Sequence, residues 1–260
     1  MLMTLFFIFL FGLIIGSFLN AVLYRLEFGG SLWRDRSRCP KCGHILKWYE
    51  LFPIFSFLFL RGKCKKCRKK ISFQYPLVEL ATGFLFLAIF LKYQNLPLFS
   101  LDSWLDIFYG FIIVSFLVLI FVFDFKHYII PNVAVYSLIF ISLFYDFYRY
   151  DFILLRYYFL AVAVAFGFFL FLYLWSKGRW IGFGDVKYAV FMGLFLGWPN
   201  ILVALFLAYL SGAVMGLLLL WVKKKDFKSQ IAFGPFLIFG TFTAFFWGSE
   251  IIKWYLGVAF

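Results

Sequence analysis

Acidic residues are scarce in this 260-residue chain: twelve Asp and Glu stand against twenty-five Lys and Arg, and charge of both signs makes up only 14% of the whole. Soluble domains carry about 25% charged residues, so a surface this poor in charge excludes an ordinary water-soluble globule. Histidine is scarcer still, with His44 and His127 alone. Neither lies near a nucleophile-elbow motif, which leaves Ser–His chemistry without a candidate. The four cysteines are confined to one polar segment.

What the chain does have is hydrocarbon. Apolar residues make up 65% of it and the mean hydropathy is +0.95, more than a domain of this length could bury; the fold class expected is an all-α polytopic membrane protein. Apolar stretches at 1–24, 73–91, 103–123, 129–147, 152–175, 201–222 and 231–249 are mostly near the ~20 residues a helix needs to cross a bilayer. The first lacks a basic leader region and a small-residue cleavage site, so it reads as a retained helix. Between Lys187 and Lys223 the run is broken by Gly197-Trp198-Pro199-Asn200. A short eighth span or a re-entrant hairpin at 186–196 is expected there.

Charge supplies the orientation. Twelve Lys and Arg lie between Leu26 and Ser72, one in the Asp124–His127 turn, three from Lys177 to Lys187, and four from Lys223 to Lys228. Positively charged loops stay cytoplasmic, which gives about eight spans with both termini outside and puts Asp124 and Asp185 at the cytoplasmic mouth. The net charge of +13 is then topology and attraction to anionic membrane lipids, and no nucleic-acid partner is called for.

The polar segment 26–72 holds Cys39-Pro40-Lys41-Cys42 and Cys64-Lys65-Lys66-Cys67, with twenty-one residues between the pairs. Two Cys-x2-Cys knuckles present four thiolates to a tetrahedral Zn²⁺, and a metal closes a loop that has almost no core of its own. A structural zinc site made by the four cysteines Cys39, Cys42, Cys64 and Cys67 is therefore expected. Paired disulfides are disfavoured on a reducing cytoplasmic face, and His44 is a spare ligand that a closed four-cysteine site does not require. The division follows: 1–25 a first transmembrane helix, 26–72 a small cytoplasmic zinc-ribbon-like loop domain, and 73–260 a membrane-embedded domain.

Two of the few carboxylates sit beside hydrocarbon. Asp124 ends the run Phe111–Phe123, and Asp185 lies in Gly182-Phe183-Gly184-Asp185-Val186-Lys187. An unpaired buried carboxylate costs several kcal/mol, and ionisable groups in membrane helices are functional suspects by default. Two aspartates brought together share a proton: the ionised one activates water while the protonated one polarises a peptide carbonyl. Aspartyl proteolysis by Asp124 and Asp185 is the chemistry this predicts, supported by Gly182 and Gly184, whose missing Cβ lets backbone approach a substrate strand. Lys187 either tunes Asp185 or is simply a cytoplasmic helix-end lysine. Glu79, inside the second span, contributes to another site or to contact between helices. Asp102, Asp106, Asp146 and Asp151 are expected to be solvated at outer helix ends, and Trp33, Trp48 and Trp180 to anchor at the interface.

The ordered motifs resemble the type IV prepilin leader peptidases, intramembrane aspartyl proteases of the Gly-x-Gly-Asp type. The resemblance covers nearly the whole chain: Gly16-Ser17-Phe18-Leu19-Asn20 before Tyr24-Arg25-Leu26, the two cysteine knuckles, Glu50-Leu51-Phe52-Pro53, Tyr75-Pro76-Leu77-Val78-Glu79-Leu80, Asp124 before Ile130-Pro131-Asn132, Gly182–Lys187, and Phe233-Gly234-Pro235-Phe236-Leu237. It implies a bacterial inner-membrane enzyme whose catalytic aspartates are Asp124 and Asp185. Its substrate would be a prepilin or pseudopilin, cut after the glycine of its basic leader at the cytoplasmic face. Members with the cysteine loop also methylate the new N-terminus with S-adenosylmethionine, and that cofactor rests on the resemblance alone. Asn132 stands where many relatives carry Asp, and Glu50 replaces a frequent Asp. A secondary transporter and a non-catalytic zinc-ribbon scaffold are the competing readings; a transporter would place its carboxylates at the bilayer midplane.

Overall fold

The computed structural model describes residues 2–30, 36–94, 100–222 and 232–257; Trp33 and the basic run Lys223–Lys228 lie outside them. Among the described residues there is no strand beyond two isolated bridges, and the all-α expectation holds. In chain order the helices are α1 (Leu2–Phe28), α2 (Phe55–Phe59), α3 (Gln74–Tyr93), α4 (Leu101–His127), α5 (Asn132–Arg149), α6 (Phe152–Ser176), α7 (Phe183–Leu196), α8 (Asn200–Trp221) and α9 (Gly234–Leu256). Six of them (α1, α3, α4, α6, α8 and α9) are long and apolar enough to cross a membrane, so the chain is a multi-pass membrane protein. With α5 and α7, eight helices among the described residues have fourteen residues or more. The chain packs as two compact units, Met1–Leu119 and Ile120–Phe260, with the division falling inside α4.

In the first unit α1 lies directly on α3. A Cβ at Gly12 would come 2.7 Å from Gly83 Cα, and one at Gly16 2.6 Å from Glu79 Cα, so only glycine permits this approach. Small residues four apart are how membrane helices close on each other where lipid gives no hydrophobic drive. The first half of α4 packs on α3 through Phe86 and Phe111, stacked at 4.2 Å.

The same helix pair fixes the polar loop between α1 and α3. Glu79 Oε2 accepts the Ile54 N–H at 2.7 Å, Ser17 Oγ donates to the Leu51 carbonyl at 3.4 Å, and Asn20 Nδ2 donates to the Tyr75 carbonyl at 3.0 Å. Ile54 is held at φ 60°, a conformation a β-branched residue does not adopt unaided. A hydrogen bond to a carboxylate contributes about 1.5–3 kcal/mol, enough to offset that strain. Glu79 is thus a buried anchor for the loop.

In the second unit α7 is the central helix. Val186, Tyr188, Ala189, Phe191 and Met192 are all fully buried, as expected of a helix apolar all round its circumference. Its fourteen residues span about 21 Å at 1.5 Å per residue, short of the ~30 Å hydrocarbon core, and protein rather than lipid covers it. Gly197, at φ 65°, ends α7, and after Pro199 the chain restarts as α8. The break seen in the sequence is this turn.

One expectation about the outer acids is corrected. Asp102 and Asp151 are exposed, but Asp106 and Asp146 are buried at 5% and 2% exposure. Asp146 Oδ2 has no hydrogen-bond partner among the described residues. Hydropathy counts a single acid in an apolar run and cannot tell which side of the helix it occupies.

Candidate active site and metal centre

Asp124 stands near the end of α4, three residues before its last, and is 3% exposed. Its Oδ2 accepts the backbone N–H of Gly234, the first residue of α9, at 3.0 Å. That N–H is one of the donors a helix leaves free at its first turn, so α9 offers the carboxylate both a hydrogen bond and the positive end of its dipole. A Cβ at position 234 would lie 2.5 Å from Oδ2 and 3.0 Å from Cγ of Asp124. Gly234 is therefore part of the site. Phe233-Gly234-Pro235 stood out in the sequence as a motif, but nothing there tied it to an aspartate 110 positions away.

Asp185 lies in the first turn of α7 and is 7% exposed. Its Oδ2 accepts the N–H of Gly182, the N-cap, at 3.1 Å, closing the helix start with an acid where the dipole favours one. Asp124 lies within electrostatic range of Asp185. Each aspartate uses Oδ2 for a backbone N–H.

The glycines flanking Asp185 divide. A Cβ on Gly184 would meet Ile130 Cβ at 3.1 Å, so its smallness lets the start of α7 close on the segment that leads into α5. Gly182 sits at φ −73°, ψ 151°, open to any residue, and a Cβ there would make only ordinary contacts. Nothing in its packing requires glycine. Lys187 does not turn to Asp185: its Nζ donates to Asn132 Oδ1 and lies 5.3 Å and 5.1 Å from the ring centres of Tyr136 and Phe183. It ties the start of α7 to that of α5.

In the first unit the four cysteines converge, their sulfurs all within 4.8 Å of one another. The two knuckles have the same backbone. In each, the first cysteine N–H donates to the carbonyl five residues on (Cys39 to His44, Cys64 to Lys69, both 2.9 Å), and its own carbonyl accepts the N–H four residues on (Gly43 and Arg68). The residue at that fourth position has positive φ, 68° at Gly43 and 52° at Arg68. A bridge pairs the flanks, Arg38 with Ile45 and Lys63 with Lys70. The Cys64 thiol is pulled down to about 7, first by the backbone N–H of Cys67 and then, against the effect of burial, by that of Lys66. Four soft donors on paired knuckles, with backbone N–H groups aimed at sulfur, fit a metal that prefers tetrahedral thiolates. His44 faces elsewhere, its Nε2 3.4 Å from Glu50 Oε2.

A cavity of about 590 Å³ opens in the same unit between α1 and the segment from Trp48 to Phe55. Leu13, Phe18, Trp48 and Phe52 supply apolar wall, and Ser17 and Arg25 supply polar groups.

Comparison with known proteins follows these two regions. The Bacterial Peptidase A24 N-terminal domain matches residues 10–93, which include the cysteine knuckles, and the Type IV leader peptidase family matches residues 111–217, which include both aspartates. The prepilin leader peptidase/N-methyltransferase of Bacillus subtilis (strain 168) is 33% identical over 97% of this chain and 98% of its own length. The protein of that name from Pectobacterium carotovorum subsp. carotovorum is 33% identical over 88% of both chains. The one from Myxococcus xanthus (strain DK1622) is 37% identical over 82% of this chain, which spans 62% of that relative's length. No solved structure matches the chain. Matched in both halves, and along almost the full length of a relative, the chain belongs to the type IV leader peptidase family.

Proposed function

We infer that this chain is a prepilin leader peptidase that also methylates the N-terminus it exposes, the two activities named for its relatives. Asp124 and Asp185 are its catalytic pair. The observation that carries this reading is the pair itself: two buried carboxyls, each steadied at Oδ2 by a backbone N–H and close enough for one charge to act on the other. Such a pair holds one proton between them. The ionised member takes a proton from water as the oxygen attacks the scissile carbonyl, and the protonated member donates to the carbonyl oxygen. Collapse of the tetrahedral intermediate then sends a proton to the leaving amine. Gly182, which its own packing does not require to be glycine, is the place for the substrate backbone to approach. Lys187 positions α7 through Asn132.

The substrate is a prepilin or pseudopilin whose apolar amino-terminal helix reaches the site from the bilayer. Lys126, next but one to Asp124, and Lys177, Arg179 and Lys187 around Asp185 favour a site at the cytoplasmic face of the bacterial inner membrane, beside anionic lipid. Zinc is the metal that Cys39, Cys42, Cys64 and Cys67 would hold, and its role is to fold the loop. S-adenosylmethionine supplies an activated methyl group for the new amine. The cavity beside α1 has the volume usual for a small-molecule site, with Trp48 and Phe52 as apolar wall and Ser17 as a polar edge.

Two rival readings fit less well. A transporter places its carboxylates at the bilayer midplane, whereas Asp124 ends α4 and Asp185 begins α7. A scaffold would pair the acids with lysines, but Lys187 is bonded to Asn132. The test is cleavage of a tagged prepilin by the unaltered protein, Asp124→Asn and Asp185→Asn in membranes at matched expression. Each variant is expected to leave the prepilin full-length. Processing by either variant at the unaltered rate would refute the dyad.

A further inference from the structure

A tyrosine that the sequence does not distinguish from fifteen others lies at the same site. Tyr209 projects from α8, with its ring against Phe233 (centroids 5.2 Å apart), Phe168 (5.6 Å) and Phe169 (6.0 Å). Phe233 immediately precedes Gly234, the residue that holds Asp124. The ring therefore backs the start of α9 where that helix meets the first catalytic carboxyl. At its far end the hydroxyl is buried and has no hydrogen-bond partner among the described residues. It is also within electrostatic range of Asp185.

These features conflict with a purely packing role. A buried hydroxyl without a partner costs about 1–3 kcal/mol, and phenylalanine would fill the same ring pocket without that cost. Tyr188, a fully buried tyrosine of this unit, shows the usual arrangement: its hydroxyl is shared with Thr241 Oγ1 at 3.3 Å. The Tyr209 hydroxyl has no such partner among the described residues, and it lies within electrostatic range of Asp185, which is bonded through Oδ2 to Gly182. An unused donor beside a reacting centre is the arrangement that stabilises charge appearing only in the transition state, since it need not be reorganised when the reaction occurs.

We propose that Tyr209 is a third catalytic residue of the peptidase site, its hydroxyl donating a hydrogen bond to the scissile carbonyl oxygen as that oxygen gains charge. The proposal rests on the assignment of Asp124 and Asp185. Tyr209 transfers no proton; it supplies a second donor to the oxygen that the protonated aspartate already polarises, and the phenol stays protonated throughout. Its partner is the peptide backbone at the cleavage site rather than a side chain, so the contact is independent of substrate sequence.

The experiment compares the unaltered protein with Tyr209→Phe, Tyr209→Leu and Asp185→Asn, each reconstituted with a tagged prepilin in phospholipid vesicles. Tyr209→Phe keeps the ring on Phe233 and removes only the donor. It is expected to melt no lower than the unaltered protein, to leave KM little changed, and to lower kcat about 10²-fold, the usual loss for one oxyanion donor. A hydroxyethylene peptide spanning the cleavage site, which imitates the tetrahedral oxygen, should lose affinity for Tyr209→Phe by a similar factor while a plain substrate peptide does not. Full kcat in Tyr209→Phe overturns the proposal, and if Tyr209→Leu alone is impaired the residue only packs. Turnover by Asp185→Asn would instead refute the dyad, so the two failures are distinguishable.

Discussion

Gly234→Ala sets two physical effects against each other. By helix propensity alone the change should stabilise, because alanine is better than glycine within a helix by about 0.5–1 kcal/mol, and Gly234 is the first residue of α9. Against this, the new methyl would sit 2.5 Å from Asp124 Oδ2, 3.0 Å from Cγ and 3.3 Å from Cβ. A long side chain could swing its end away. Aspartate has only two side-chain torsions, and with three successive atoms crowded the whole carboxyl must rotate or α9 must withdraw. Either movement breaks the 3.0 Å bond from Gly234 N–H to Oδ2. A hydrogen bond to a charged group is worth about 1.5–3 kcal/mol, so the clash outweighs the propensity gain and the net is a loss of roughly 1–2 kcal/mol.

Catalysis should suffer more than stability, because a carboxyl displaced by about 1 Å from its productive position costs on the order of 10²-fold in rate. Prepilin cleavage is the assay, with thermal unfolding in detergent measured alongside. Gly216→Ala is the control: it lies in α8 with nothing within 4 Å of the added methyl, and only the propensity gain is expected. If Gly234→Ala cuts within about twofold of the unaltered rate, far short of that loss, while Gly216→Ala behaves as expected, the Asp124–Gly234 contact does not position the carboxyl.

The cysteine knuckles give two further tests. Arg68 and Gly43 hold the same backbone position in the two knuckles, at positive φ, where a non-glycine residue costs about 1–2 kcal/mol. Gly43→Ala, whose methyl would touch nothing, should weaken metal retention against a chelator by roughly tenfold on that strain alone, and Arg68→Gly should strengthen it; equal retention in all three proteins would show that the turns are not strained. Metal binding requires thiolates, and the Cys64 thiol is pulled down to about 7 from 9.0, so metal retention against a chelator should weaken as pH falls through that window. Because the folded value is the lower one, the Cys64 thiolate contributes fully above pH 9.0 and the contribution is lost as pH falls through about 7; metal retention that is flat across that window would contradict the assignment.

Much of the architecture is legible in the sequence because a bilayer makes hydropathy nearly sufficient. The stretches 152–175 and 201–222 match α6 and α8 within one residue at each end. The cysteine site is legible for another reason: two knuckles at a fixed spacing permit few other arrangements of four thiolates. What escapes sequence reasoning is contact between distant helices. Asn132 gives no sign that it will receive Lys187, and Asp146, in the last turn of α5, reads as solvated until its helix is seen to turn it inward.

The proposed catalytic pair shows where these two kinds of information meet. Carboxylates beside hydrocarbon single out Asp124 and Asp185, since the cost of burying them demands a reason. Their positioning, however, comes from backbone rather than from side chains. Each is held by the N–H of a glycine, Gly182 three residues away and Gly234 across 110. The local bond is implied by the Gly-x-x-Asp spacing of a helix start, because a capping acid reaches back to the N–H three residues before it. The distant bond has no local sign beyond a glycine beside a proline. The two aspartates should therefore differ in what disturbs them. Asp185 answers to changes within its own turn, whereas Asp124 depends on where α9 begins, and substitutions at the start of α9 should impair cleavage by way of Asp124 without contacting substrate.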